Sequence, residues 1–380
     1  MSLVNRFLFL NGIISHAAGA PPVTTLLEIH PGAYTTTRTH RNCSEILFWD
    51  RHLQRLTNSF KLLLKSNPKF LFGKPEKNEV LFMELSNRAI PWDSKIQCLI
   101  NDSMRKAMPF VLNERESGEE IAITILVSGN SENLSCLENG FDERSVSDVL
   151  DVHVHVGTYV SPVFGVGVNG ARLAVVGRGR DLGNAKYSEW VRLRKSLEKL
   201  RPPSVTELLL SNDGDHILEG CLTNFFVVCQ KKKADVFDNS ERNGLPTSSF
   251  FEIQTAPLGD GVLPGVVRQV IIDICLKIGI PFRETAPSWS QRELWTEAFI
   301  TNSLRLLQHV EAIQTPCTWK SVESKTWEEI TWVEKKFEDV PGRITSIIQH
   351  TDASHLFLGD TGAETYFGTS WRRSISISFI

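Results

Sequence analysis

No two of the seven cysteines stand in a CxxC spacing, and the set is odd in number and scattered from Cys43 to Cys317. That usage argues against a disulfide framework or a zinc site and for a reducing compartment. No apolar run reaches the roughly 18 residues that a membrane span needs, so no membrane partner is expected. Charge of one sign is scarce as well: 41 Lys and Arg stand against 44 Asp and Glu, a net charge of −3. This balance gives no electrostatic reason to expect a nucleic acid partner. The run Lys231-Lys232-Lys233 reads as a solvated loop. His153 and His155 share one face of a strand, yet no third ligand lies near them in the sequence, and no metal is expected.

What is present is an ordinary globular composition, 41% hydrophobic and 22% charged over 380 residues, enough for two domains with full cores. "RFLFLNGIISHAAGA" loosely imitates a secretory leader. Asn11-Gly12 interrupts it with a turn signal, so two short strands are the better reading. A cytoplasmic location is favoured over export, with organelle targeting left open.

Along the chain, Val23–His30 and Tyr34–Arg38 read as strands. Asp50 caps a helix to about Lys65, with Leu53, Leu56, Phe60 and Leu63 at helical spacing. A second helix fits Asp93–Met108, and strands fit Ile121–Val127 and 148–160. The Gly-rich stretch 161–170 is the linker candidate. It divides a small N-terminal domain, 1–160, from a larger C-terminal domain, 171–349, with 350–380 a tail outside the core.

Beyond the linker, Leu173–Val176 reads as a strand, and Lys186–Leu200 as a helix stopped by Pro202-Pro203. Glu207–Leu210 and His216–Leu218 make a hairpin, and Asn224–Val228 is a buried strand. Residues 230–250 look like an inserted loop. The helix in 263–280 starts at Pro264-Gly265 and ends at Gly279. Phe299–Ser303 and Leu307–Ile313 are strands, and Thr326–Phe337 is expected as the last helix.

One stretch stands out. "LEGCLTNFFVV", 218–228, sets Glu219 and Asn224 at the entrance of an apolar strand. Buried unpaired, each would cost several kcal/mol, and the strand itself supplies neither with a partner. Glu219 with Asn224 joins three other elements in order: Arg55 in "HLQRL", Lys186 in "NAKYSEW" and "LPGVVR" at 263–268. Singly, each has a plain reading. Lys186 would be a surface residue of a helix, Arg55 a solvent-facing arginine and LPGVVR a common turn into a helix. Glu219 would be an acid paired with a nearby arginine.

Together, over roughly residues 7 to 345, they resemble the fold-type IV pyridoxal-phosphate enzymes: branched-chain aminotransferases, D-amino acid transaminases and aminodeoxychorismate lyases. The resemblance implies an α/β fold, an α+β small domain beside a larger α/β pseudo-barrel domain, with pyridoxal 5′-phosphate in the cleft. It also implies a homodimer. Lys186 matches the lysine that forms the Schiff base and then moves the Cα proton. Glu219 matches the acid that keeps the pyridine nitrogen protonated, so that its partner would be the cofactor.

Arg55 and the backbone amides of Val266 and Val267 match the phosphate grip, and Ser303 matches the hydroxyl of the last phosphate loop. Asn224 matches a residue that holds the Glu219 loop. Many relatives carry a threonine where Val267 stands, and Ser128 replaces an arginine that contacts substrate in some of them. Arg38 in "YTTTR" could face substrate. The expected function is a class IV aminotransferase acting between an amino acid of branched-chain or D-type and a 2-oxo acid. A lyase on the same cofactor is the alternative, and a non-catalytic binding module keeping the fold is the third reading.

Overall fold

The computed structural model describes residues 6–17, 19–73, 85, 90–130, 132–133, 148–162, 169–230, 251–338 and 340–355. Its fold is mixed α/β and is built on two sheets. The first is wholly antiparallel, in the order β2-β1-β6-β5-β3-β4. Its strands are β1 (Arg6–Leu10), β2 (Ile13–His16), β3 (Ala33–His40), β4 (Glu45–Ile46), β5 (Glu120–Gly129) and β6 (Leu150–Tyr159). Successive residues of a strand face opposite sides. Ile121, Ile123, Ile125 and Val127 of β5 therefore share one side with Val152, Val154 and Val156 of β6. Against that side pack Leu53, Leu56, Phe60 and Leu63 of α2 (Trp49–Ser66), as their spacing foretold.

The second sheet contains a closed ring. Its strands are β7 (Ala171–Gly177), β8 (Glu207–Ser211), β9 (Ile217–Gly220), β10 (Asn224–Gln230), β13 (Trp295–Asn302) and β14 (Leu306–Pro316), with β9 pairing back onto β10. The pair that closes the ring is Asn224 opposite Glu219. Phe225 and Val227 point into a core shared with Leu173, Val175, Leu209, Ile300 and Val310. Phe226 and Val228 point the other way, onto Val267, Val270 and Ile271 of a helix at Val266–Ile278. Strands β11 (Phe251–Thr255) and β12 (Phe282–Glu284) extend the sheet from β10, and β15 (Trp332–Lys336) pairs with β14.

Three expectations of local structure fail. Val23–His30 is not a strand but a helix, α1 (Val23–Ile29), opened by Pro22 and held by Leu26 and Leu27 in a cluster with Tyr34, Leu126 and Val191. Lys186 does not start a helix. Its segment bridges to β3, and helix begins only at Trp190–Leu193, continuing as a 3-10 turn over Arg194–Leu200. Thr326–Phe337 holds one 3-10 turn, Trp327–Glu329, and then β15. The last helix is Arg343–His355, which runs past the expected tail boundary and buries Ile348. Residues 163–168 of the linker, 231–250 of the insertion and 356–380 of the tail lie outside the described residues. Asp50 does not cap α2, whose N-cap is Phe48, and the helix expected over Asp93–Met108 spans Trp92–Glu114; the remaining strands and helices agree to within a few residues.

Among the described residues no helix is long and apolar enough to cross a membrane. The six described cysteines are free. His153 and His155 both have protein partners: His153 Nε2 lies 3.2 Å from Ser128 Oγ, and His155 Nε2 donates to Pro21 O at 2.9 Å.

Candidate active site

A cavity of about 480 Å³ lies where the first sheet meets the seam of the ring. Arg55, Lys186, Glu219, Asn224, Val266, Val267 and Ser303 all line it. Arg38 does not. It follows Tyr34 and Thr36 on the same face of β3, but its guanidinium lies beyond the lining, 5.4 Å from the centre of the Tyr159 ring.

Lys186 reaches the cavity because its backbone is stitched to the first sheet. Tyr34 N donates to Lys186 O at 3.0 Å, Lys186 N donates to Ser59 Oγ at 3.0 Å, and Ser188 N donates to Gly32 O at 2.9 Å. The amine hangs over Tyr34, 4.6 Å from its ring centre. Burial drives the lysine pKa well below its ordinary value. Arg55, Arg180 and Arg194 push it the same way, while Glu219 opposes them. This surrounding favours the neutral, nucleophilic form of the amine over the ammonium.

Glu219 is buried, with 2% exposure, at the end of β9. Arg180 pairs with it, as the plain reading of this acid has it. The guanidinium donates from Nε to Oε1 at 2.9 Å and from Nη2 to the same oxygen. Oε2 accepts from Leu263 N at 3.0 Å and, more weakly, from Asn224 Nδ2 at 3.4 Å. Burial raises the carboxyl pKa; Arg180 and the Leu263 amide pull it back. Asn224 Nδ2 also donates to Leu263 O at 2.9 Å, so this amide ties the ring's seam to the turn before the Val266 helix.

At that turn the glycine is steric rather than conformational. Gly265 has φ −62, but an added Cβ would lie 1.9 Å from Asn224 Oδ1. The close approach aims the helix start at the cavity, and the first N–H groups of a helix have no partner within it. Opposite, Arg55 Nη2 donates to Thr35 Oγ1 at 2.7 Å, which in turn is 2.7 Å from His52 Nδ1. Burial lowers the Arg55 pKa to about 10, still leaving it charged at neutral pH, whereas burial beside that charge holds His52 neutral. Arg55 Nε and the hydroxyls of Thr223 and Thr301 are buried on residues of the lining and lack a hydrogen-bond partner among the described residues.

Sequence reasoning missed Arg180, Thr223, Thr301, Tyr34 and Arg194. Thr223 stood inside the quoted "EGCLTNFF" and Tyr34 inside "YTTTR"; nothing in "GRGRD" marked Arg180.

The family model described as Amino-transferase class IV matches residues 103–313. Comparison with curated proteins found no match. Among solved structures, the chain is similar to a putative branched-chain amino acid aminotransferase from Thermotoga maritima. That match has 15% identity and a TM-score of 0.52, covering 91% of this chain and 94% of the other. The branched-chain amino acid aminotransferase of Escherichia coli is similar at 16% identity and a TM-score of 0.52, over 96% and 97%. A hypothetical aminotransferase from Mycobacterium tuberculosis in its PLP-bound form is similar at 14% identity and a TM-score of 0.51, over 91% and 96%. These likenesses establish the fold.

Proposed function

The chain belongs to the class IV aminotransferase family, whose members depend on pyridoxal phosphate, and from that premise we propose a specific activity. The protein transfers an amino group between an amino acid of branched-chain or D-type and a 2-oxo acid, as a homodimer. The observation that carries this reading is the meeting of a depressed lysine, Lys186, with the buried Arg180–Glu219 pair in one cavity.

The polar inventory of the cavity fits the cofactor. Arg55 Nε, Thr223 Oγ1 and Thr301 Oγ1 are buried without partners among the described residues, and such groups cost stability unless something satisfies them. A phosphate would do so, gripped by the Arg55 fork, the Val266 and Val267 amides and the Ser303 hydroxyl. A hydroxyl at Thr301 offsets the one that Val267 lacks. Glu219 would hold the ring nitrogen in its protonated form, and Arg180 favours the ionised carboxylate this needs. Asn224 holds the seam and takes no part in the chemistry.

When bound, pyridoxal phosphate supplies an electron sink for the charge left as a substrate loses its Cα proton. Lys186 is the attachment point for the cofactor's aldehyde and the base that accepts and returns that proton. Its low pKa suits both tasks, because an ammonium can do neither.

The test is a panel of amino acids and 2-oxo acids with the purified, cofactor-loaded protein. Paired formation of a new 2-oxo acid and a new amino acid is expected. Pyruvate released without an acceptor would replace this reading with the lyase, and no turnover with any pair would favour the binding module. A Lys186→Ala variant is expected to lose the visible absorption of the loaded protein; retention of that band would remove Lys186 from its role.

A further inference from the structure

The cavity wall is lopsided in charge. Arg6, Arg55, Arg180, Lys186, Arg194 and Arg268 line it, against the single acid Glu219. Two of these cations are neutralised, Arg180 by Glu219 and Arg268 by Glu284 at 2.9 Å. Arg55 and Lys186 are used by the reaction proposed above. Arg194, the first residue of the 3-10 turn on the lysine's own segment, is used by nothing described so far.

Its Nη1 is buried and has no hydrogen-bond partner among the described residues. The acids of the surrounding elements are already taken. Glu189 pairs with Arg192 at 3.1 Å and Glu198 with Arg201 at 2.6 Å. Glu207 pairs with Arg305 at 3.3 Å and accepts Leu222 N at 2.9 Å. Arg194 acts electrostatically on Tyr34 and Lys186, where the chemistry is, and on Cys221 and the already paired Glu207. A guanidinium N–H buried beside a cavity without an acceptor is unfavourable until an anion arrives.

We propose that Arg194 binds a carboxylate of the substrate, and that this contact, rather than one from Arg38, orients the substrate above Tyr34 and beside Lys186. The inference rests on the transamination reading. A planar fork of N–H donors matches a carboxylate in two parallel bonds, and that geometry fixes direction as well as affinity. Arg6, on β1, stands on the same wall with one hydrogen bond from Nε to Ala20 O at 2.8 Å. The lining therefore keeps a positive surplus after the phosphate is bound.

The experiment titrates the cofactor-loaded protein with 4-methylvalerate and with glutarate, and in parallel with the amides of both, by calorimetry. Wild type is expected to bind the acids more tightly than the amides. In Arg194→Gln the acids should weaken by about tenfold or more, while affinity for the amides, cofactor absorption and melting temperature stay unchanged. Arg194→Lys should recover part of the loss, and in turnover KM should rise with little change in kcat. Unchanged acid affinity in a folded, loaded Arg194→Gln protein would overturn the proposal, as would a wild type that does not distinguish acid from amide. A wild type with no cofactor absorption at all would instead bring down the transamination reading, and this inference with it.

Discussion

Lys186 stands in a placement that suits an ammonium badly. Its pKa in the folded chain lies well below the 10.5 of a free lysine, so between those values the unfolded chain binds the extra proton and stability rises with pH. Lys186→Met should therefore raise the melting temperature of the cofactor-free protein near neutral pH. The gain should shrink toward about pH 10, where the unfolded lysine also loses its proton. Thermal unfolding at both pH values checks this, and an equal gain at each would contradict it.

Arg180 offers a second check at the same scale. Removing it as Arg180→Met strips Glu219 of the group that most opposes its burial, so the carboxyl pKa should rise further. Activity that needs the ionised acid should then fail at a higher pH, moving the acid limb of the kcat/KM profile upward, whereas an unmoved limb would separate Glu219 from catalysis. Lys186, Glu219 and Asn224 were legible because each sits in a short stretch with its own pattern. Arg180 was not, because its contact with Glu219 is made by the fold across 39 residues of chain.

Elements were legible where burial follows a single period, and illegible where a neighbour decides. The residues of α2 repeat at helical spacing, and β5 and β6 alternate, so their sequences suffice. Val23–Ile29 is rich in β-branched residues, but Pro22 precedes it, and packing of Leu26 and Leu27 on Tyr34 and Val191 selects a helix; propensity yields to tertiary contact. Residues 332–336 become a strand because the edge of β14 offers them a partner, with Ala312 opposite Lys336.

The turn into the Val266 helix gives a testable case. Gly265→Ala would force a methyl onto Asn224 Oδ1, displacing either the seam amide or the helix start. Cofactor affinity should fall by about tenfold or more, and Asn224→Ser should restore part of it by making room. A Gly265→Ala protein that binds the cofactor normally would show that the helix start does not hold the phosphate.

For the whole molecule, the mixed α/β fold was legible in the alternation of strands and helices, but the closure of the ring was not, since a single residue pair at the β9–β10 seam makes it. Val160 is 89% exposed, Ile13 73% and Leu222, beside the cavity, 46%. Singly exposed apolar side chains are ordinary on a protein surface, and the proposed homodimer rests on the family alone. Light scattering on the purified protein should give twice the chain's mass, and a strictly monomeric, active protein would refute the homodimer.

The hydrogen bonds from Tyr34, Ser59 and Gly32 to the segment around Lys186 reach further than local geometry. The Lys186 amine belongs to one half of the polypeptide, yet its backbone is fastened by the other. If the chain were cut within residues 161–170 and the fragments made separately, the second piece would keep the acid and lose the scaffold that aims the lysine. Function should return only on recombining the pieces, and complementation of that kind would report on the fastening itself.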